Sequence, residues 1–389
     1  MGRNRTRWLC AALALVALFI SGCDTLATAP TKATATRTPA PALTWKAVTL
    51  PPSVSLQSAG WAVSPLDGHD AWVCAPGDAG AYTVWATQDA AATWQRVGTF
   101  TAATSEPARC SLRADQTSTH GLMADLSWGC GECGTLRDMA LYSADGGLQW
   151  RQLSGYLGPQ EIASFRGGAV AIMFGTAATP SSNASNLVIS SDGFQTWRAI
   201  RPAALATDDG FFRFWLAPDG SALIAASYNN TLWRTADLGA HWTQIPTPDE
   251  QTGLATWLSQ RNTFHLCGWT SSDQMQIHCS DDLGAHWSET PAQTETLPCM
   301  KCGVGVSTQT QPCPPSSMAP DGSLLTACAD STPTGPASAI YRLPAGGAVW
   351  QRVGTAPGNI NLVSATGPVW CVAADPDQIT GIYTAQLPF

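Results

Sequence analysis

The sequence predicts an all-β fold, a seven-bladed β-propeller, on three observations. An octapeptide recurs along the chain as TQDAAATW (87–94), SADGGLQW (143–150), SSDGFQTW (190–197), TADLGAHW (235–242) and SDDLGAHW (280–287), with a worn sixth copy, LPAGGAVW (343–350). The closing tryptophans Trp94, Trp150, Trp197, Trp242, Trp287 and Trp350 are 56, 47, 45, 45 and 63 residues apart, a period that suits a propeller or a related repeat array. Each copy joins two strand-like segments, such as YTVWA and WQRV around the first and NTLWR and WTQI around the fourth, so each reads as a hairpin turn.

The chain begins with an export signal. MGRNRTR is basic, and residues 8–20 (WLCAALALVALFI) form a 13-residue apolar run, too short to span a bilayer comfortably. The run leads into Ile20-Ser21-Gly22-Cys23, which resembles the bacterial lipobox. That resemblance implies a signal peptide over 1–22 and a lipid-bearing Cys23 that anchors the protein to a membrane outside the cytoplasm. The alternative is an ordinary cleaved signal with an incidental cysteine. Residues 23–43 are dominated by Thr, Ala and Pro, a composition that builds a tether and no core. The folded domain is expected over 44–389.

The octapeptide has a physical logic. The aspartates Asp89, Asp145, Asp192, Asp237 and Asp282 can accept turn N–H groups, as Asx turns do. Glycine at the fifth position permits positive φ, and the tryptophan packs a large ring below the turn. The set resembles the Asp-box, or BNR, repeat (Ser-x-Asp-x-Gly-x-Thr-Trp) of sialidases, sortilin-type domains, some xyloglucanases and a photosystem-assembly factor family. The resemblance implies a propeller whose boxes are structural and lie between the third and outermost strands. Ala91 and Phe194 depart from the glycine, and the sixth copy lacks the aspartate.

Blade count follows from the ends. TWKAVTLP (44–51) matches the strand after each Trp but has no blade before it, and 359–389 supplies about three strands with no Trp strand after them. Ring closure by the N-terminal strand leaves no unpaired edge at the join and gives seven blades; six is the fallback if 288–350 is irregular. The boxes then mark one face. Long insertions open on the other, where binding is expected. They are SWGCGECGTLRD (127–138) and the blade 5–6 connection containing PCMKCG (298–303).

Thirteen cysteines are present. In an exported protein they favour disulfides. Cys313 and Cys328 flank APDG (319–322) symmetrically, and Cys267 and Cys279 flank SSDQ (271–274), so each pair is a candidate bridge across a hairpin. Cys130 and Cys133, and Cys299 and Cys302, form two CxxC pairs. Disulfides, a four-thiolate metal set and free thiols all remain open for these, with disulfides favoured and no metal assigned.

The function classes narrow as follows. A net charge of −8 argues against nucleic acid. A sialidase needs an arginine cluster, a Tyr nucleophile and an acid/base carboxylate, and the family's early Phe/Tyr-Arg-Ile-Pro motif is missing. Arg96, Arg151, Arg198 and Arg352 fall on outer strands, which leaves Arg109 and Arg213 for inner ones. Acidic residues on the non-box face include Asp78, Glu106, Glu132, Asp208 and Asp209, which read first as solvated loop charges; the adjacent Asp208 and Asp209, where an inner strand begins, are the most interesting pair. His241 and His286 read as packing residues. No catalytic residue and no cofactor is assigned. The expectation is a monomeric, lipid-anchored module that binds a protein or glycan on the non-box face, with Cys130, Glu132, Cys133, Asp208, Asp209, Cys299 and Cys302 in the candidate loops. A carbohydrate-active hydrolase and an assembly factor for a membrane complex are the alternatives.

Overall fold

The computed structural model describes residues 43–389 apart from short stretches, the longer being 102–108, 129–136, 175–184, 247–252, 259–263, 270–276 and 291–316. Cys23, Cys130, Glu132, Cys133, Asp208, Cys299, Cys302 and Cys313 lie outside the described residues.

Among the described residues, twenty-eight strands form seven four-stranded antiparallel sheets. Strand β1 (Lys46–Ala47) stands alone at the start. Blade 1 is β2 (Gly60–Val63), β3 (Ala71–Pro76), β4 (Ala81–Thr87) and β5 (Gln95–Thr101). Blade 2 is β6 (Arg109–Ala114), β7 (Leu122–Trp128), β8 (Arg137–Ser143) and β9 (Arg151–Gln152). Blade 3 is β10 (Leu157–Phe165), β11 (Gly168–Phe174), β12 (Ser185–Ser190) and β13 (Arg198–Ala199). Blade 4 is β14 (Phe211–Leu216), β15 (Leu223–Ser227), β16 (Leu232–Thr235) and β17 (Thr243–Ile245). Blade 5 is β18 (Gly253–Leu258), β19 (Phe264–Trp269), β20 (Ile277–Ser280) and β21 (Ser288–Thr290). Blade 6 is β22 (Ser317–Met318), β23 (Leu324–Thr332), β24 (Gly335–Leu343) and β25 (Gln351–Pro357). Blade 7 is β26 (Ile360–Ser364), β27 (Val369–Asp375) and β28 (Gln378–Ala385), with β1 as its fourth strand.

Seven blades and the N-terminal closure are as the sequence predicts. Lys46 pairs with Thr384 and Ala47 with Tyr383. The seam is sealed again further in, where the Trp370 indole N–H donates to the carbonyl of Gly68 at 2.6 Å. Val63 and Ala71 of blade 1 pack there with Trp370, Val372 and Ile382 of blade 7. The core is thus a series of layers between neighbouring sheets, with alternate residues of a strand feeding the layers on its two faces, as Leu223 and Ala225 of β15 do on one side and Ile224 and Ala226 on the other.

Each octapeptide links the third strand of its blade to the fourth. In the turn at 235–242, Asp237 Oδ1 accepts the Thr235 hydroxyl at 2.7 Å and the His241 N–H at 2.8 Å. The Thr235 oxygen accepts the Gly239 N–H at 3.0 Å. The same three bonds recur at Asp89, Asp145, Asp192 and Asp282. In the first four copies the fourth and fifth residues both take positive φ, including Ala90, Ala91, Phe194 and Leu238, and Gly284 does so in the fifth.

The fifth position faces the preceding blade. A Cβ on Gly239 would lie 2.8 Å from Ile200 Cβ, so glycine is required there for space as well as for φ. The departures fill the same slot where the neighbour leaves room. The Phe194 ring stacks on Tyr142 at 4.3 Å and carries the Arg151 guanidinium at 4.9 Å. Ala91 is buried in the blade 7–1 layer. The tryptophans wedge the same seams, Trp150 against blade 1 and Trp242 against blade 3.

One covalent link was not foreseen. Cys74 on β3 and Cys110 on β6 form a disulfide, with Cα atoms 6.4 Å apart. It joins two blades by passing over Gly60, whose Cβ would sit 2.2 Å from the Cys110 carbonyl oxygen. A hairpin-symmetry argument finds bridges within a blade and misses one between blades. Cys267 and Cys279 are direct register partners on β19 and β20, as that argument predicts. Cys328 on β23 stands opposite Ala339, and its expected partner Cys313 is outside the described residues. Cys371 is a buried free thiol, pushed up to about 12 by desolvation.

Candidate functional site

Two regions bring polar or aromatic groups together on the unrepeated parts of the chain. The first is on the inner strands. Arg113 (β6), Glu161 (β10) and Arg213 (β14) come from three consecutive blades. Glu161 Oε1 is 3.3 Å from Arg213 Nε, and Oε2 accepts the Phe214 N–H at 3.1 Å. Desolvation holds the Glu161 carboxyl above its ordinary value, against the pull of Arg213, the Phe214 N–H and Arg113. Gln116 crosses the same seam. Its backbone N–H donates to the Ile162 carbonyl at 3.3 Å and its side-chain amide to the Phe214 carbonyl at 3.4 Å. A cavity of about 260 Å³ opens here, lined by Trp61, Pro65, Arg113, Gln116, Glu161 and Ile162 among others.

Sequence reasoning left Arg109 and Arg213 as the inner-strand arginines. Arg113 is a third, on the same strand as Arg109. It was legible in RCSLRA once that run is taken as an inner strand. Among the described residues lining the cavity, Glu161 supplies the sole carboxylate. Cleavage of a glycoside by a facing pair of carboxylates therefore has one member here, and both its oxygens are already engaged. The arrangement suits holding a polar group beside Arg113.

The second region lies on the face opposite the octapeptides. Blade 4 places Phe212 at the start of β14 and Tyr228 in the turn after β15. Their rings are 5.7 Å apart and tilted by 43°. Tyr228 is 51% exposed, one of two large apolar side chains so exposed among the described residues, the other being Leu148. The neighbouring connection is held by Arg201, whose guanidinium donates to the carbonyls of Ala206 and Asp209.

Asp209 sits where the sequence places it, before the inner strand, but its side chain is buried. Its Oδ1 accepts the Gly210 N–H at 2.8 Å, the geometry of a local turn. Tyr82, Tyr142 and Tyr341 stand on third strands and Arg96, Arg151, Arg198 and Arg352 on fourth strands, as the repeat predicts. His241 and His286 are a correction. Their side chains are 90% exposed, and each Nδ1 meets the turn aspartate, at 2.6 Å for Asp237 and 2.5 Å for Asp282. They close the turn and face solvent, because the seventh position of the octapeptide points outward.

No protein-family model matches the chain, and no curated protein matches it. Solved structures do. An oligogalacturonate lyase from Vibrio parahaemolyticus aligns over 89% of this chain and 97% of its own, with 10% identity and a TM-score of 0.54. YCF48 from Cyanidioschyzon merolae aligns over 88% of this chain and 98% of its own, with 14% identity and a TM-score of 0.47. A structure described as YCF48 bound to D1 peptide aligns over 90% and 99%, with 17% identity and a TM-score of 0.48. At 10% identity the likeness to the lyase is one of fold alone.

Proposed function

We propose that this protein is a tethered, non-catalytic binding module of the Asp-box type, which takes a protein or glycan partner on the face opposite the octapeptides. The observation that carries this reading is the Phe212–Tyr228 pair, in which an exposed Tyr228 ring stands beside a partly buried Phe212 at the start of an inner strand. Aromatic side chains of this kind anchor protein interfaces and stack on flat apolar ligand faces at little entropic cost. Lipid on Cys23 and the Thr/Ala/Pro segment after it would hold the domain clear of a membrane surface outside the cytoplasm. A protein partner belonging to a membrane complex is one form of this reading. Hydrolysis is the rival, favoured by the raised carboxyl of Glu161.

The test uses the full chain extracted from membranes, applied to glycan and peptide arrays as wild type and as Tyr228→Ala. The expected result is a bound ligand left chemically intact, with affinity reduced about thirtyfold in the variant, the loss of one hot-spot residue. Turnover of the ligand, abolished by Glu161→Gln, would overturn it in favour of a hydrolase. Cys23→Ala should release the protein from the membrane fraction. A variant that stays membrane-bound would refute the anchor.

A further inference from the structure

A groove of about 520 Å³ opens on the octapeptide face, between blades 1 and 2. Its apolar walls include Trp72, Val97 and Leu148, and its polar lining is acidic, with Asp70, Asp89 and Asp145 facing a single imidazole, His120. Trp72 is fixed across the seam, since its indole N–H donates to the Gly146 carbonyl at 3.1 Å. His120 Nδ1 is 2.8 Å from the Thr119 hydroxyl.

The three carboxylates differ in kind. Asp89 and Asp145 belong to octapeptides, and turn donors occupy them. Asp70 is 8% exposed, and no described residue donates a hydrogen bond to its carboxylate. It ends the turn between the first two strands of blade 1, where its carbonyl accepts the Ser64 N–H. The residues making that same bond in blades 2, 4 and 6 are Gly121, Ala222 and Ser323. The fold asks for a small residue there, and blade 1 alone of these four has a buried acid. The carboxylate is thus partly withdrawn from water and reached through the groove, with no donor from the fold, which is less favourable than full solvation. Desolvation, reinforced by Asp67, accordingly raises its pKa, against the opposing charges of His120 and His69. An acid that the fold leaves without a donor, lining a groove, is a candidate ligand contact.

We propose that this groove is a second binding site, which takes a small alkylamine or alkylguanidine: a cationic head on Asp70, flanked by Asp89 and Asp145, and an aliphatic stem along Trp72, Val97 and Leu148. An ammonium or guanidinium supplies the donors Asp70 lacks, and a charge-assisted bond in a partly closed groove is stronger than one in water. The volume is in the range of small-molecule sites. The site is independent of the opposite face, so its failure would leave the aromatic-step reading standing.

Titration calorimetry of the full chain with 1,5-diaminopentane tests it, with hexanoate as the anionic control of similar stem. Wild type should bind the diamine and not hexanoate. Asp70→Asn should weaken the diamine about tenfold or more, and Tyr228→Ala should leave it unchanged. Loss of binding in Asp70→Asn with an undiminished melting temperature separates the site from misfolding, and Leu148→Ala, at an exposed position, gives a second and smaller loss. An acetylated and amidated Ala-Lys-Ala peptide distinguishes sources: equal or tighter binding would mean that the cation comes from a protein side chain. Equal affinity of wild type and Asp70→Asn, binding of hexanoate as well as the diamine, or no binding of either amine would overturn the proposal.

Discussion

Asp237 and Asp70 are both aspartates in turns on one face of the propeller, and their surroundings are opposite. Asp237 is solvated, and the His241 N–H, the Thr235 hydroxyl and the His241 ring hold its carboxyl well below the usual range. Asp70 is buried, lacks any donor among the described residues, and is pushed up. The first is copied around the ring and the second is not. Copying alone does not separate scaffold from site, however. Asp115 also occurs once and is fully buried, yet it accepts from Thr117 N–H and hydroxyl, Ser164 N–H and the Tyr142 hydroxyl. It ties blade 2 to blade 3. Satisfaction is the criterion: a satisfied carboxylate is explained by the fold, and an unsatisfied one asks for a ligand.

The largest expected effect concerns the seam beside Asp70. Replacing Cys74 and Cys110 by serine opens a link spanning 36 residues, and chain entropy puts the loss at about 3–4 kcal/mol. Denaturant unfolding would show it. A loss near zero would mean that the blade 1–2 seam needs no covalent help and is no different from the others.

Next come the turns themselves. Gly239→Ala forces a Cβ against Ile200 at positive φ and should cost about 2–3 kcal/mol. Phe194→Ala empties the same slot in blade 3 and should cost about 2 kcal/mol, less than for a fully buried ring. Ala91→Gly relieves a positive φ but loosens the unfolded chain, so its net effect should fall within about 0.5 kcal/mol. Three changes at one position of the octapeptide would then rank by what the neighbouring blade presents. Equal costs would show that the turn acts alone.

Acid sharpens the contrast further. Asp89 has its carboxyl lowered from 3.8 to about 2, chiefly by the Thr93 hydroxyl and N–H. Its stabilising effect is present above the unfolded value and is lost as pH falls from about 4 toward 2. Asp70 has the reverse sign. Its folded pKa is raised, so its relative stabilisation is complete below the unfolded value and is lost as pH rises through the folded one. Melting temperature against pH for Asp70→Asn should therefore exceed wild type by a margin that grows from acid to neutral. Parallel curves would mean that the carboxylate is solvated.

Much of the architecture was legible because it is repeated. The Trp spacing and the unpartnered strands at each end lead to seven blades and to β1 on β28 without any contact being known. The site was less legible, because it is made of residues that depart from the repeat in ways a local reading overlooks. Glu161 sits in LGPQEIASF, where one charge in an inner strand was the available signal. Asp70 shows itself when SPLDGHDAW is laid beside LAPDGSALI and MAPDGSLLT, a second recurring turn that places an acid where the others have the apolar Ala222 and Leu324. Tyr228 carried no signal, because exposure is set by packing between turns. Cys74 and Cys110 needed the order of blades around the ring, which pairs within a hairpin do not encode.

The most direct test of the central claim compares melting temperatures of Asp237→Asn and Asp70→Asn at neutral pH. Both changes remove one charge and keep the side-chain shape. Asp237→Asn should melt below wild type, because a satisfied turn carboxylate is lost. Asp70→Asn should melt at or above wild type, because an unpaired buried charge is removed. If Asp70→Asn melts below wild type as Asp237→Asn does, Asp70 is scaffold like the rest, and the distinction between satisfied and unsatisfied carboxylates does not hold in this protein.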